Sequence, residues 1–159
     1  MAIFNMTTPQ VVPSDVFGYE VKTDEGYGRE TFTITVGASP VRVGTILVVN
    51  YVTGTATQLT QANLATLPAT ARLGVFVGRD LKTNPATAQD FDRLTMTTTG
   101  KGVAIVKGDG RGTLKKGYLD LAGTQYYALT TAQQAQLDDI FTNDNRFKMV
   151  EQQYTSAAV

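Results

Sequence analysis

A mainly β fold is predicted: a small barrel- or sandwich-like body with one or two short helices and an extended N-terminal arm. Three observations carry that prediction. Short blocks of β-branched residues recur along the chain, separated by Gly- and Thr-rich turns. One segment, "ETFTITVG", alternates strictly, with Phe32, Ile34 and Val36 facing one way and Thr31, Thr33 and Thr35 the other. Helical periodicity with a capping signal occurs once, in "TTAQQAQLDDIF". With 159 residues, 42% of them apolar, the chain suits one domain with a buried core and is not expected to be disordered.

Residues 1–30 read as an arm and residues 31–159 as the β-rich body. In the arm, Pro9, Pro13, Gly18, Gly26 and Gly28 break any periodicity, yet Phe4, Val12, Phe17, Tyr19 and Val21 are scattered among them. Large apolar residues in such a segment need cover. Two outcomes stay open: an irregular edge packed on its own domain, or a segment that orders on a partner, for instance by adding a strand to its sheet. Under the second outcome those five residues are the candidate contacts, with Phe17 and Tyr19 foremost.

After the strand ending at Gly37, "ASP" makes a turn and "VRVGTILVVNY" is a second strand entered through Gly44. Thr53-Gly54 reads as a hairpin tip with "TATQL" returning, apolar on one side and hydroxyl-lined on the other. "TQANLATLPATA" is a connection or a single helical turn stopped before Pro68. "RLGVFVGRDL" is a compact apolar strand whose Gly74 and Gly78 mark a bulge or a close backbone approach. "KTNPATAQDFD" is a loop, and "RLTMTTTGKGVAIVKGDGRG" supplies two more strands. In the helix, Thr131 with Gln134 fits a capping box, and Leu137, Ile140 and Phe141 form its apolar stripe. "TNDN" ends it, "RFKMVE" is a final strand closing the sheet, and "QQYTSAAV" is a loose end.

Composition removes much chemistry. The chain has no cysteine and no histidine. Thiolate catalysis, disulfides, Cys-ligated metals, imidazole ligands and the Ser-His-Asp triad are therefore excluded. No apolar run approaches the roughly 20 residues needed to cross a bilayer as a helix. "MAIFNMTTPQVVPSD" lacks the basic start and long apolar stretch of a signal peptide, so secretion by that route is not expected. Fourteen basic and fourteen acidic residues cancel, which speaks against binding nucleic acid through its phosphates. A local excess of seven bases over four acids between Lys82 and Asp120 reads first as a solvated face and second as a polyanion site.

Remaining motifs give little. "GKG" and "GDGRG" lack the following helix and the Lys-Ser/Thr placement of a phosphate loop. A calcium loop starting at Asp139 would put Phe141 at a ligand position and has no central glycine. Asn143, Asp144 and Asn145 read as a turn. Asp90 and Asp92 could pair for glycoside chemistry, but nothing raises a pKa there; Asp138 and Asp139 read as an exposed helix face. Arg42 reads as solvent-facing. No catalytic, cofactor-binding or metal-ligating residue is expected, and the chain is not expected to be an enzyme.

The order of elements carries a resemblance. "SPVRVGTILVVNYVTGTATQL", "ARLGVFVGRDL" and "LTMTTTGKGVAIVKG", followed by a helix and a closing strand, resemble the head decoration family of tailed bacteriophages, of the phage lambda type. The resemblance spans about Ser39 to Val150. The chain departs from it in its greater length, its "QLTQANLATLPAT" insertion and its N-terminus. It implies a capsid-stabilising (cement) protein on the outer surface of an expanded virion head, made in the host cytoplasm. It also implies a homotrimer partnered by the major capsid protein, with an N-terminal arm on the shell and no contact with nucleic acid or membrane. Another structural virion component, such as a tail tube, baseplate or head-fibre subunit, is the alternative.

Overall fold

In a computed structural model, which describes residues 11–19, 28–79 and 94–151, the alternating segment is strand β2 (Arg29–Thr35). It follows α1 (Pro13–Val16) and β1 (Phe17–Tyr19). Next come β3 (Val41–Arg42), β4 (Ile46–Asn50), β5 (Thr55–Gln58), α2 (Gln61–Leu64), β6 (Arg72–Arg79), β7 (Thr95–Met96) and β8 (Gly100–Ile105). The chain continues through β9 (Thr113–Lys115), β10 (Asp120–Leu121), β11 (Thr124–Gln125), α3 (Thr131–Asp139) and β12 (Lys148–Val150). The protein is mainly β with a small closed barrel.

The barrel runs β2-β5-β4-β6-β8 and closes back onto β2. Its pairs are antiparallel except β2 with β5, which run parallel from Thr33 opposite Thr55 to Thr35 opposite Thr57. β4 and β6 carry unbroken non-polar runs, Ile46 to Val49 and Leu73 to Val77, because these stretches are covered on both faces. Leu47, Val49 and Phe76 point into the barrel with Phe32, Ile34, Ala56 and Ala104. Ile46, Leu73, Val75 and Val77 point outward into a second core with Leu114, Leu119, Tyr126, Leu137, Phe141 and Phe147. β2 is covered on one face only, hence its threonines.

Five strands enclose little volume, so two interior positions are glycine. A Cβ on Gly102 would sit 2.5 Å from Ile34 Cδ1 and 2.8 Å from Phe76 Cε2, and one on Gly74 3.1 Å from Val106 Cγ1. The β6–β8 register shifts between Phe76 and Gly78, the bulge expected near Gly78.

Four readings are corrected. Residues 13–19, assigned to the arm, are built into the body: β1 pairs with β9 (Phe17 opposite Leu114), and Val16 and Phe17 belong to the outer core. Burying those apolar side chains is worth about 1.5–3 kcal/mol each, so they pack at home. β12 does not close the main sheet; it pairs in parallel with β9, in a separate sheet ordered β1-β9-β12. The helix cap lies one residue earlier than expected, with Thr130 Oγ1 accepting from Gln133 N. "TNDN" also does not end the helix as a simple turn. The chain widens into a π-helical turn (Ile140–Asp144), in which Asn145 N donates to Ile140 O.

Candidate functional site

The hairpin β4–β5 ends in the most exposed large apolar residue described. Val52 is 95% exposed and its neighbour Tyr51 is 47% exposed. Local chemistry holds the tip in shape. Asn50 Oδ1 accepts from Val52 N at 3.0 Å and Thr53 N at 3.2 Å, Gly54 takes φ +65°, and its carbonyl accepts from Thr33 N at 2.9 Å. Tyr51 meets Phe32 edge-on, with centroids 5.9 Å apart, which ties the tip to the barrel. Burial and the nearby Glu30 carboxylate push the Tyr51 phenol up, so it stays a neutral donor.

At the other end of β4, roughly 16 Å away at ~3.3 Å per residue, lies a groove of about 890 Å³ whose walls include Pro40, Arg42, Val43, Leu94, Tyr118 and Asp120. It lies between the β3–β7 pair and the β10–β11 hairpin. Asp120 is half-buried, accepts from Gly123 N at 3.0 Å and from Thr45 Oγ1 at 3.4 Å, and feels the Arg42 guanidinium. Burial outweighs those three influences and raises its carboxyl above the ordinary 3.8. A raised folded-state pKa contributes stability that is full below the unfolded value and lost as pH rises through the folded one. Asp120→Asn is therefore expected to flatten the stability-versus-pH curve just above pH 3.8, with little change at lower pH. Urea midpoints measured across that window check it.

A polar cluster joins the helix to the last strand. Lys116 Nζ donates to Asp138 Oδ2 at 2.8 Å and to Glu151 Oε1 at 2.9 Å. Tyr126 OH donates to Asp138 Oδ1 at 2.7 Å, and Tyr127 OH donates to Glu151 Oε2. Burial alone would lower the Lys116 ammonium, but the two carboxylates outweigh it and hold it well above its usual value. Burial and the Asp138 bond raise the Tyr126 phenol. Hydrogen bonds from Tyr127 and Lys116 lower Glu151. A lysine held charged is no nucleophile, so the cluster works as a clamp. Asp138 is thus engaged, a correction to its reading as part of an exposed helix face; its partners come from distant segments and leave no trace in local spacing.

The sequence-derived contact residues do not converge. Phe17 is 7% exposed inside its own core and is not available as an exposed contact; Val12, 37% exposed, precedes α1, with its N–H donating to Asp15 Oδ2. Tyr19 contributes its backbone to β1, and Phe4 and Val21 lie outside the described residues, as do Asp90, Asp92 and "QQYTSAAV". Arg42 is exposed, as read. Among the described residues no group of three or more acids gathers as a metal site, and no helix is long and apolar enough to cross a membrane. The Tyr51–Val52 tip was missed as a contact, although valine at a hairpin turn, a place for Gly, Asn or Asp, was the available signal. No protein family, characterised protein or solved structure matches this chain.

Proposed function

We propose that the chain is a capsid decoration protein of the tailed-phage type, a non-enzymatic cement that binds the outer surface of an expanded head as a homotrimer and braces it against packed DNA. The resemblance across Ser39 to Val150 names the assembly. The observation that carries a binding role is the tip, an almost fully exposed valine beside a half-exposed tyrosine, on a turn fixed by Asn50 and backed by a closed barrel. Preorganised aromatic and aliphatic side chains of this kind act as anchors because they are ordered before they bind.

Cement has modest energetic needs. Burying ~800 Å² per copy at ~25 cal/mol per Å² gives a gross gain of about 20 kcal/mol, before ordering and desolvation costs. Repetition over a shell adds avidity. No reactive group is required, in keeping with a chain lacking histidine and cysteine.

Co-sedimentation with expanded empty shells tests this reading. Wild-type protein is expected to pellet with the shells. Val52→Asp, which places a charge on a side chain almost fully exposed in the free fold, is expected to weaken binding about tenfold or more while leaving the melting temperature unchanged. Wild-type protein left in the supernatant overturns the reading. A hexameric ring in solution points instead to a tail-tube subunit.

A further inference from the structure

The "GDGRG" segment is a loop between β8 and β9, and the fold brings it against residues 145–148. Gly108 N donates to Asn145 O at 2.8 Å, Gly110 N to Arg146 O at 2.7 Å, and Lys148 N to Gly112 O at 2.8 Å. Gly108 and Gly112 both lie under the Phe147 ring. Asn145 roots the assembly in the barrel, its Nδ2 donating to Leu73 O at 2.8 Å and Val106 O at 2.7 Å. Asp109 and Arg146, paired at 3.3 Å, both sit at positive φ, two of the three non-glycine residues described there. Each such residue is strained and persists only where the surroundings enforce it.

This rigid corner displays charge. Lys107, Arg111, Arg146 and Lys148 are exposed, against Asp109 and Asp144, a local excess of two cations on a chain of net charge zero. Lys107, Arg111 and Lys148 have no ion-pair partner among the described residues. The two segments lie far apart in sequence and only the fold unites them.

We infer that this corner is an electrostatic docking surface for a carboxylate-rich face of a protein partner. Cations fixed on a braced loop lose little freedom on binding, which suits steering and register more than bulk affinity. A protein face fits better than nucleic acid. The two acids set among the cations would repel a uniform run of phosphates, and the one aromatic between these bases, Phe147, is buried and offers no face for a base to stack on. If, as the function proposed above has it, the partner is a phage shell, this corner complements the apolar tip.

Retention on immobilised poly-L-glutamate at low salt tests the inference without any shell. With a sequence pI of about 6.2, the whole chain is not cationic at neutral pH, so retention requires a local patch. Wild-type protein is expected to bind and to elute with salt. Lys107→Glu/Arg111→Glu/Lys148→Glu is expected to bind about tenfold more weakly. Arg42→Glu/Arg72→Glu/Lys101→Glu, with the same change in net charge, is expected to retain more binding. The Lys→Gln and Arg→Gln set at the first three positions serves if the reversal fails to fold. Absent wild-type retention, retention that survives substitution of Lys107, Arg111 and Lys148, equal losses in the two reversal variants, or tighter binding to double-stranded DNA overturns it. In shell co-sedimentation, wild-type binding unaffected by the reversal overturns only the corner's role on the shell. Failure of the wild type to bind shells leaves the poly-L-glutamate result standing.

Discussion

Gly44→Ala is expected to destabilise the protein by about 3 kcal/mol or more, enough to leave much of it unfolded if its total stability is near the low end of the usual range. Gly44 has φ +94°, where an L side chain is strained, and a Cβ there would collide with the backbone carbonyl of Tyr118. Strain costs roughly 1–2 kcal/mol and the overlap another 1–3. The overlap has no easy relief, because both backbones are tied: Gly44 N donates to Phe76 O at 3.1 Å and Asp120 N to Gly44 O at 3.0 Å. Gly54→Ala is the matched comparison. Gly54 also has positive φ, +65°, but nothing lies within 4 Å of its would-be Cβ, so about 1 kcal/mol is expected. Urea denaturation of both variants should show the wide gap; equal losses would mean that the close approach to Tyr118 costs nothing.

Asn145→Leu is expected to cost about 3 kcal/mol. The side chain is 3% exposed, and its amide nitrogen donates to carbonyls of β6 and of the residue after β8, joining the two barrel strands to the π-helical turn. Leucine has similar bulk but no donor, so both carbonyls would lose a buried partner. Its Oδ1 has no protein partner, so all of its polar contribution comes through the two N–H groups. Asn145→Asp removes the same donors and buries a charge, and is expected to be worse than leucine. Thermal melts should rank wild type above Asn145→Leu above Asn145→Asp. If the aspartate variant melts like wild type, the tether is not structural.

The body of this fold was largely legible because its signals are local. Phe32 and Ile34 alternate with threonine because one side of β2 faces solvent, and Ile46 to Val49 run unbroken because β4 is covered on both faces. The β4–β5 hairpin, the α2 turn and the bulge near Gly78 followed from adjacent residues. Barrel closure was hidden, since the parallel pairing of Thr33 with Thr55 depends on a register that no single strand encodes. Val16 and Phe17 were ambiguous for a related reason: an apolar residue in an irregular segment does not say whose core will take it. Asn145 looked like ordinary turn chemistry, and the Lys116–Asp138 pair became visible only once the helix was laid beside the connection after β9.

Barrel closure also bears on how the molecule is made. The seam joins β2 to β8, with Arg29 opposite Ile105, so a ribosome must pass Ile105 before the ring can form. Until then the β4–β5 hairpin can form from neighbouring residues, whereas β2 waits with its antiparallel edge unpaired. Such distant pairings pay their loop entropy before any contact rewards them. Refolding from urea should therefore be slow for a chain of this size, and nascent chains halted before β8 should aggregate more readily than those released after it.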